Sequence, residues 1–239
     1  MIIKPVMTQI AWCAALSVLT ATPAIAEVSA CQSAVGTSVK ERIADLTTCI
    51  FRGKNGVSMN SYIYVMRGIS YAELGDMDKA FNDYSTAIEL TPDQDAAFDL
   101  RGEIFANRGD WSRAQADFDS AIAHTAAGVN TSVSLAYKAW LFATWPDTAM
   151  RDGARAMTLA LRAIKLRDGA LTHDVLAAAY AEAGQFDNAV REESAAISRA
   201  RGKAGERELP GYKARLVLYE AGMPYHTNTP FPLPPRLEL

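Results

Sequence analysis

Residues Ser61–Gln94 and Asp95–Gly128 carry the same small and aromatic residues at a fixed shift of 34 positions, from 61 to 95. The first block has Gly68, Tyr71, Gly75, Ala80, Tyr84, Ala87 and Pro92; the second has Gly102, Phe105, Gly109, Ala114, Phe118 and Ala121, with Ala126 in place of the proline. A spacing held over two blocks leaves few folds open. Each block is one supersecondary unit, and the units stack on one another.

Within a block the pattern is two antiparallel helices and a short turn. Gly68 and Ala80 are small enough for the two backbones to approach closely, and Tyr71, Tyr84 and Ile88 fill the seam. Gly75 ends the first helix and Asp76 is a candidate N-cap for the second. Pro92 forces Thr91 out of the α region and ends the second helix. One such pair cannot bury its apolar face alone, so neighbours must cover it. The expected fold is all-α: a right-handed stack of about four antiparallel helical hairpins, closed by a C-terminal cap helix.

Ser38–Phe51 reads as an amphipathic helix with Val39, Ile43, Leu46 and Ile50 on one face, Ser38 as N-cap and Glu41 completing a capping box. A short helix around Val28–Val35 makes it a shortened first hairpin, and Arg52–Met59 is its connector. Thr131–Lys165 is an irregular unit: a helix around Ser132–Thr144, a break at Trp145-Pro146-Asp147, a turn through Arg151-Asp152-Gly153, and a second helix, Ala154–Leu166. Asp147 and Asp152 are expected to accept backbone hydrogen bonds in that turn. The fourth unit has Leu176, Ala177, Tyr180, Gly184, Phe186, Ala189, Ala196 and Ile197 in register, with helices at Leu171–Glu182 and Asn188–Ala200. Arg201–Leu209 reads as a charged bridge. Pro210–Ala221 reads as the cap helix, with Tyr212, Leu216 and Tyr219 on one face. Both strong blocks place Arg before the small residue and Asp before the aromatic, which predicts the ion pairs Arg67–Asp83 and Arg101–Asp117.

The ends of the chain have other jobs. Met1–Ala26 has the layout of a secretory signal peptide: Lys4 as its one charge, an apolar run Ile10–Leu19, and Ala24-Ile25-Ala26 as a cleavage site before Glu27. Its apolar part is too short for a stable membrane span. The expected location is therefore the periplasm or outside the cell. Val28-Ser29-Ala30-Cys31 offers an alternative, a lipoprotein carrying lipid on Cys31. Cys13 leaves with the signal peptide, and the remaining even pair favours a Cys31–Cys49 disulfide in an oxidising compartment. It would contribute roughly 3 kcal/mol in the chain-entropy model. The organisation is thus 1–26 signal peptide, 27–59 Cys-bearing hairpin and connector, 60–222 repeat domain with cap helix, and 223–239 proline-rich tail. Pro232–Arg236 superficially matches a polyproline-binding ligand, but the tail reads as lying against the last helices or disordered.

A formal net charge of −3 gives no electrostatic case for nucleic acid. The three histidines, His124, His173 and His226, share no metal spacing. Neither His-Glu-x-x-His, paired zinc cysteines, a Gly-rich phosphate loop nor Gly-x-Ser-x-Gly occurs. Asp93-Gln94-Asp95 lacks the Gly and distal Glu of a calcium loop. No catalytic residue, cofactor or metal is expected, and no membrane contact beyond the signal peptide or a lipid.

The register of Gly68, Tyr71, Gly75, Ala80, Tyr84, Ala87 and Pro92 resembles the tetratricopeptide repeat, and with its leader and Cys-bearing first hairpin the chain resembles exported bacterial proteins of that type. Ala139–Ala163 resembles a variant repeat of bacterial tetratricopeptide proteins, roughly AWxLATxPDxxxRDGxxAxxLAxxA, with Trp145 where Cys is common. The resemblance implies that the first helix of each hairpin lines a concave groove and meets ligand at its second, fifth, ninth, twelfth and thirteenth positions. Carried over, these are Tyr62, Val65, Ile69, Ala72 and Glu73; Ala96, Asp99, Glu103, Ala106 and Asn107; Val133, Ala136, Trp140, Ala143 and Thr144; and Leu171, Asp174, Ala178, Ala181 and Glu182. Relatives that grip a C-terminal carboxylate place Lys, Arg and Asn there. Glu73, Asp99, Glu103, Asp174 and Glu182 with no basic residue disfavour such a clamp. The expectation is a mildly acidic groove with an apolar floor (Tyr62, Ile69, Trp140), suited to a basic or polar-apolar segment. The expected function is an exported, non-enzymatic scaffold for a protein or peptide partner in the cell envelope. The alternative is a structural or assembly subunit of an envelope or secretion complex.

Overall fold

The computed structural model describes residues 38–52, 56–124 and 129–226, without the side chains at 129, 203 and 204. The signal peptide expected at 1–26, the helix expected at 28–35, Cys31 with the disulfide or lipid expected there, and the tail from 227 lie outside the described residues. Among the described residues there are ten α-helices and one 3₁₀ turn (Thr148–Met150), and no strand. The helices are α1 (Val39–Arg52), α2 (Val57–Glu73), α3 (Met77–Leu90), α4 (Asp95–Asn107), α5 (Trp111–His124), α6 (Val129–Thr144), α7 (Gly153–Leu166), α8 (Ala170–Glu182), α9 (Phe186–Arg199) and α10 (Gly202–Glu220). α2 pairs with α3, α4 with α5, α6 with α7 and α8 with α9, while α1 covers α2 and α10 covers α9. α6 also packs on α4 and on α8, so these three first helices lie side by side. This is an all-α solenoid of helical hairpins. No described helix is long and apolar enough to cross a membrane.

The repeat punctuation does what its chemistry dictates. Gly75, Gly109 and Gly184 adopt φ of 81°, 77° and 74°, a left-handed turn that a side chain would strain. In each, the next amide reaches back to the helix: Asp76 N–H to Tyr71 O at 2.9 Å, Asp110 to Phe105 at 2.9 Å and Gln185 to Tyr180 at 2.8 Å. That bond closes a Schellman motif. The Asp76 and Asp110 side chains then accept from the Lys79 and Arg113 amides, capping α3 and α5. Gln185 makes no such side-chain cap. Ser38 and Glu41 form the expected capping box on α1, with the Ser38 amide donating to Glu41 at 2.9 Å and the Glu41 amide to Ser38 at 3.4 Å.

Helix approach is closest where the repeat demands glycine. A Cβ on Gly68 would lie 2.5 Å from Tyr84 Cε1, and one on Gly102 would lie 2.8 Å from Phe118 Cε1. Tyr84 and Phe118 are themselves buried to 1% and 0% exposure, so neither ring has room to retreat. Gly68→Ala is therefore expected to cost about 1–3 kcal/mol by overpacking. Thermal melts should show Gly68→Ala combined with Tyr84→Leu losing less than the sum of the two, because the second change removes the atoms that the first one meets.

Both sequence-level ion pairs form, and both are two-pronged. Arg67 Nε and Nη2 reach the Asp83 oxygens at 2.8 and 2.7 Å, and Arg101 reaches Asp117 at 2.8 and 2.9 Å. In the irregular unit, Asp147 accepts from the Ala149 amide and Asp152 from the Arg155 amide, each at 2.9 Å. Trp145 is buried and meets Trp111 edge-on, ring centres 5.2 Å apart. The bulk that replaces Cys there fills a seam between hairpins.

Two boundaries differ from expectation. α2 begins at Val57, inside the stretch 52–59 read as a connector. α10 begins at Gly202, not at Pro210, so the stretch read as a charged bridge is helical and Pro210 sits inside the helix. Proline removes one backbone donor and crowds the preceding turn, but Pro210 is exposed, where water can serve the freed carbonyl. Gly205 allows the early start: a Cβ there would lie 2.6 Å from the Ala200 carbonyl carbon. Breaker residues signalled a boundary, while close packing against the end of α9 used them inside a helix.

Candidate functional site

The face formed by the first helices, α2, α4, α6 and α8, contains every groove position named from the sequence, and its two ends differ. On α2, Tyr62 and Glu73 are exposed and Ile69 is half-buried, while Val65 is buried; Asn107, the last residue of α4, is exposed. Glu73 is paired with Arg42 of α1. Deeper in the stack Asp99, Glu103, Trp140 and Asp174 are buried, with no more than 7% exposure each. Glu182, at the end of α8, is half-buried. The open row of carboxylates expected from the sequence is thus not what the fold presents: three of the five are enclosed, and neighbouring elements supply their partners.

Asp99 accepts from Ser134 Oγ of α6 at 2.7 Å, while its Oδ1 has no hydrogen-bond partner. Burial first, then the nearby carboxylates, pushes its carboxyl well above the ordinary range, against the pull of Ser134. Glu103, one turn along α4, accepts from Tyr137 of α6, yet burial raises it to about 8. Trp140 Nε1 is buried with no partner.

Glu103 gives the solenoid a pH dependence whose sign follows from its proton. Between the ordinary value of 4.5 and about 8, the folded chain holds a proton that the unfolded chain has released. Folding stability from this group is therefore present below 4.5 and falls as pH rises toward 8. The unfolding free energy of wild type, from denaturant titrations, should drop by about 2–4 kcal/mol between pH 5 and 8. Glu103→Gln, which keeps the shape without the titration, should flatten much of that slope.

The far end is closed by α10. Arg215 Nε lies 2.6 Å from Asp174 Oδ1 and 3.6 Å from Glu193 Oε1, with Asp174 and Glu193 exposed by 4% and 0%. Burial raises both carboxyls; Arg215 pulls Asp174 back down, while the Asp174 charge pushes Glu193 further up. Arg215 therefore holds Asp174 directly, while both Glu193 oxygens are buried without a hydrogen-bond partner, a setting that favours the neutral acid at Glu193. The Arg215 guanidinium also stands over the rings of Trp140, Tyr212 and Tyr225 at 5.2, 5.3 and 5.4 Å. Glu182 accepts from Arg151 Nε at 2.9 Å on one oxygen and lies 2.6 Å from His226 Nε2 on the other.

Ser134, Tyr137, Glu193, Arg215 and Tyr225 were not singled out as site residues from the sequence. The signal for two of them was present: Arg215 falls between Tyr212 and Tyr219 on the apolar stripe of α10, and Glu193 between Ala189 and Ala196 on that of α9. A charge on a core-facing stripe calls for a buried partner. Among the described residues no three His, Cys, Asp or Glu side chains stand close enough to share a metal ion.

A tetratricopeptide repeat profile matches residues 61–94. Among solved structures, the chain is similar to BtubC (BKLC) from P. vanneervenii, with 19% identity over 73% of this chain and 75% of that one and a TM-score of 0.57. It is also similar to a thermophilic TPR protein of Thermus thermophilus (12% identity, 77% and 91% covered, TM-score 0.57). A tetratricopeptide repeat protein from Parabacteroides merdae shows 22% identity over 76% and 66% of the two chains, with a TM-score of 0.55. At these identities the likeness is one of fold. A comparison with curated proteins finds no match.

Proposed function

We propose that this chain, a tetratricopeptide-repeat protein by its repeat at 61–94 and its fold, is an exported, non-catalytic scaffold that holds a segment of a cell-envelope partner on its first-helix face. Repeats of this kind typically serve as protein- or peptide-binding scaffolds. The observation that carries the reading is the row of first helices, with Tyr62 42% exposed at its α2 end beside half-buried Ile69. An exposed aromatic over an apolar floor is a natural anchor point for a partner. The layout of Met1–Ala26 supports export. Cys49, 7% exposed against Ile63 and Met59 and disulfide-bonded, supports its pairing with Cys31 and hence an oxidising compartment. Lipidation of Cys31 is the competing fate of that thiol, and mass spectrometry of the purified protein with and without reductant separates them.

A photo-crosslinking residue at Tyr62, compared with one at Leu161, an exposed residue of the second helix α7, tests the face. Capture of one stoichiometric envelope protein from position 62 alone is the expected outcome. Equal capture from 161, or a large assembly from either position, would favour an assembly subunit acting through its outer face.

A further inference from the structure

The chain leaves α10 along a path its own residues dictate. Gly222 has φ 68° and Met223 N–H reaches back to Leu218 O at 2.9 Å, closing another Schellman turn. Pro224 cannot continue a helix. The next two residues land on first helices of other hairpins. The Tyr225 ring sits 5.8 Å from that of Trp140 on α6 and under the Arg215 guanidinium, and it packs against both the main core and the α8–α10 cluster. His226 sits on Glu182, the last residue of α8, which Arg151 fixes from its other side. Trp140 and Glu182 are two of the positions at which the repeat register places ligand contacts.

We infer that the α6–α8 end of the first-helix face is a binding site for an extended aromatic–imidazole segment, and that Tyr225-His226 fills it in cis, so that a partner carrying similar chemistry enters by displacing them. This rests on the reading of the first-helix face as the binding surface and names what that surface selects. Trp140 and Arg215 meet the ring from adjacent directions, a tilted aromatic partner and a cation. Glu182 supplies a carboxylate oxygen at the next position, held in place by Arg151. The face also keeps something in reserve. Trp140 Nε1 is buried and unbonded with Tyr225 in place, so an incoming segment with an acceptor at that point makes a bond that the cis occupant does not. Because the occupant is tethered directly to α10, its effective concentration is high, and only a partner that exceeds it gains entry.

The test uses the full chain and a fluorescein-labelled peptide of residues 220–230. Fluorescence anisotropy should show saturable binding to the Tyr225→Ala/His226→Ala chain at or below about 1 mM, and at least about tenfold weaker binding to wild type, where the site is filled. Glu182→Gln in the double variant should weaken capture, and a peptide lacking the Tyr and His side chains should not bind. A folded double variant that shows no saturation up to about 1 mM overturns the inference. So does wild type binding as well as the variant. If the double variant loses its helical circular dichroism, His226→Ala alone, altering a side chain 32% exposed, is measured by the same criteria. Failure of the Tyr62 crosslink would count against the envelope role while leaving this result standing.

Discussion

Arg215→Met should destabilise the solenoid by about 3–5 kcal/mol, among the largest effects of any single substitution in it. The reason is what the change leaves behind. Asp174 and Glu193 are 4% and 0% exposed, and Arg215 is the cation that lets Asp174 stay ionised among them. Without it, the site holds either a bare buried charge or two neutral acids with their hydrogen bonds half made. Arg215 also joins three helices, since Asp174 is on α8, Glu193 on α9 and the arginine on α10. Asp174→Asn with Arg215→Met should recover part of the loss, because the pair is removed together. Thermal unfolding reads both, at about 2–4 °C per kcal/mol for a chain of this size. An Arg215→Met loss below about 1 kcal/mol would mean that the cluster is wetter or more neutral than its geometry implies.

Phe118→Ala should cost a similar amount, about 3–5 kcal/mol, by a different mechanism. Phe118 has no exposed surface, stands against Gly102 of its own hairpin, and meets Tyr137 of the next with ring centres 5.9 Å apart. Truncation opens a ring-sized cavity between helices whose spacing the Arg101–Asp117 pair still holds. Since each hairpin is stabilised mainly by its neighbours, the loss falls on the seam between the second and third pairs. Hydrogen exchange should then accelerate first in α5 and α6, on either side of that seam. Val217→Ala, at a side chain 64% exposed, should stay within about 0.5 kcal/mol of wild type.

How much of this was legible in the sequence depends on how local the physics is. The Schellman turns at Gly75, Gly109 and Gly184, the Asp76 cap and the Arg67–Asp83 and Arg101–Asp117 pairs are all set within one hairpin. A 34-residue spacing is enough to read them. The electrostatics of the first-helix face were not local. Asp99 finds Ser134 on the next hairpin, and Asp174 finds Arg215 at a separation of 41 residues. Reading the helices one at a time therefore gave exposed carboxylates where the stack encloses them. α10 failed differently: Pro210 and three glycines are breakers by propensity, and packing against Ala200 overrode them. Tyr225-His226 stood in a stretch read as a tail lying against the last helices or disordered; the first holds for these two residues, but nothing in the composition shows which groups a glycine turn will aim them at.

The most direct measurement is the nuclear Overhauser contact between the Tyr225 and Trp140 ring protons in the full chain, recorded alone and then with excess peptide of residues 220–230. If the first-helix face is a site the chain holds shut with its own side chains, that contact is present at the start, and contacts from the peptide replace it as the titration proceeds. If the contact is absent from the outset, or persists unchanged at saturating peptide, then Tyr225 is not the displaceable occupant of a binding site, and the account of this face is wrong.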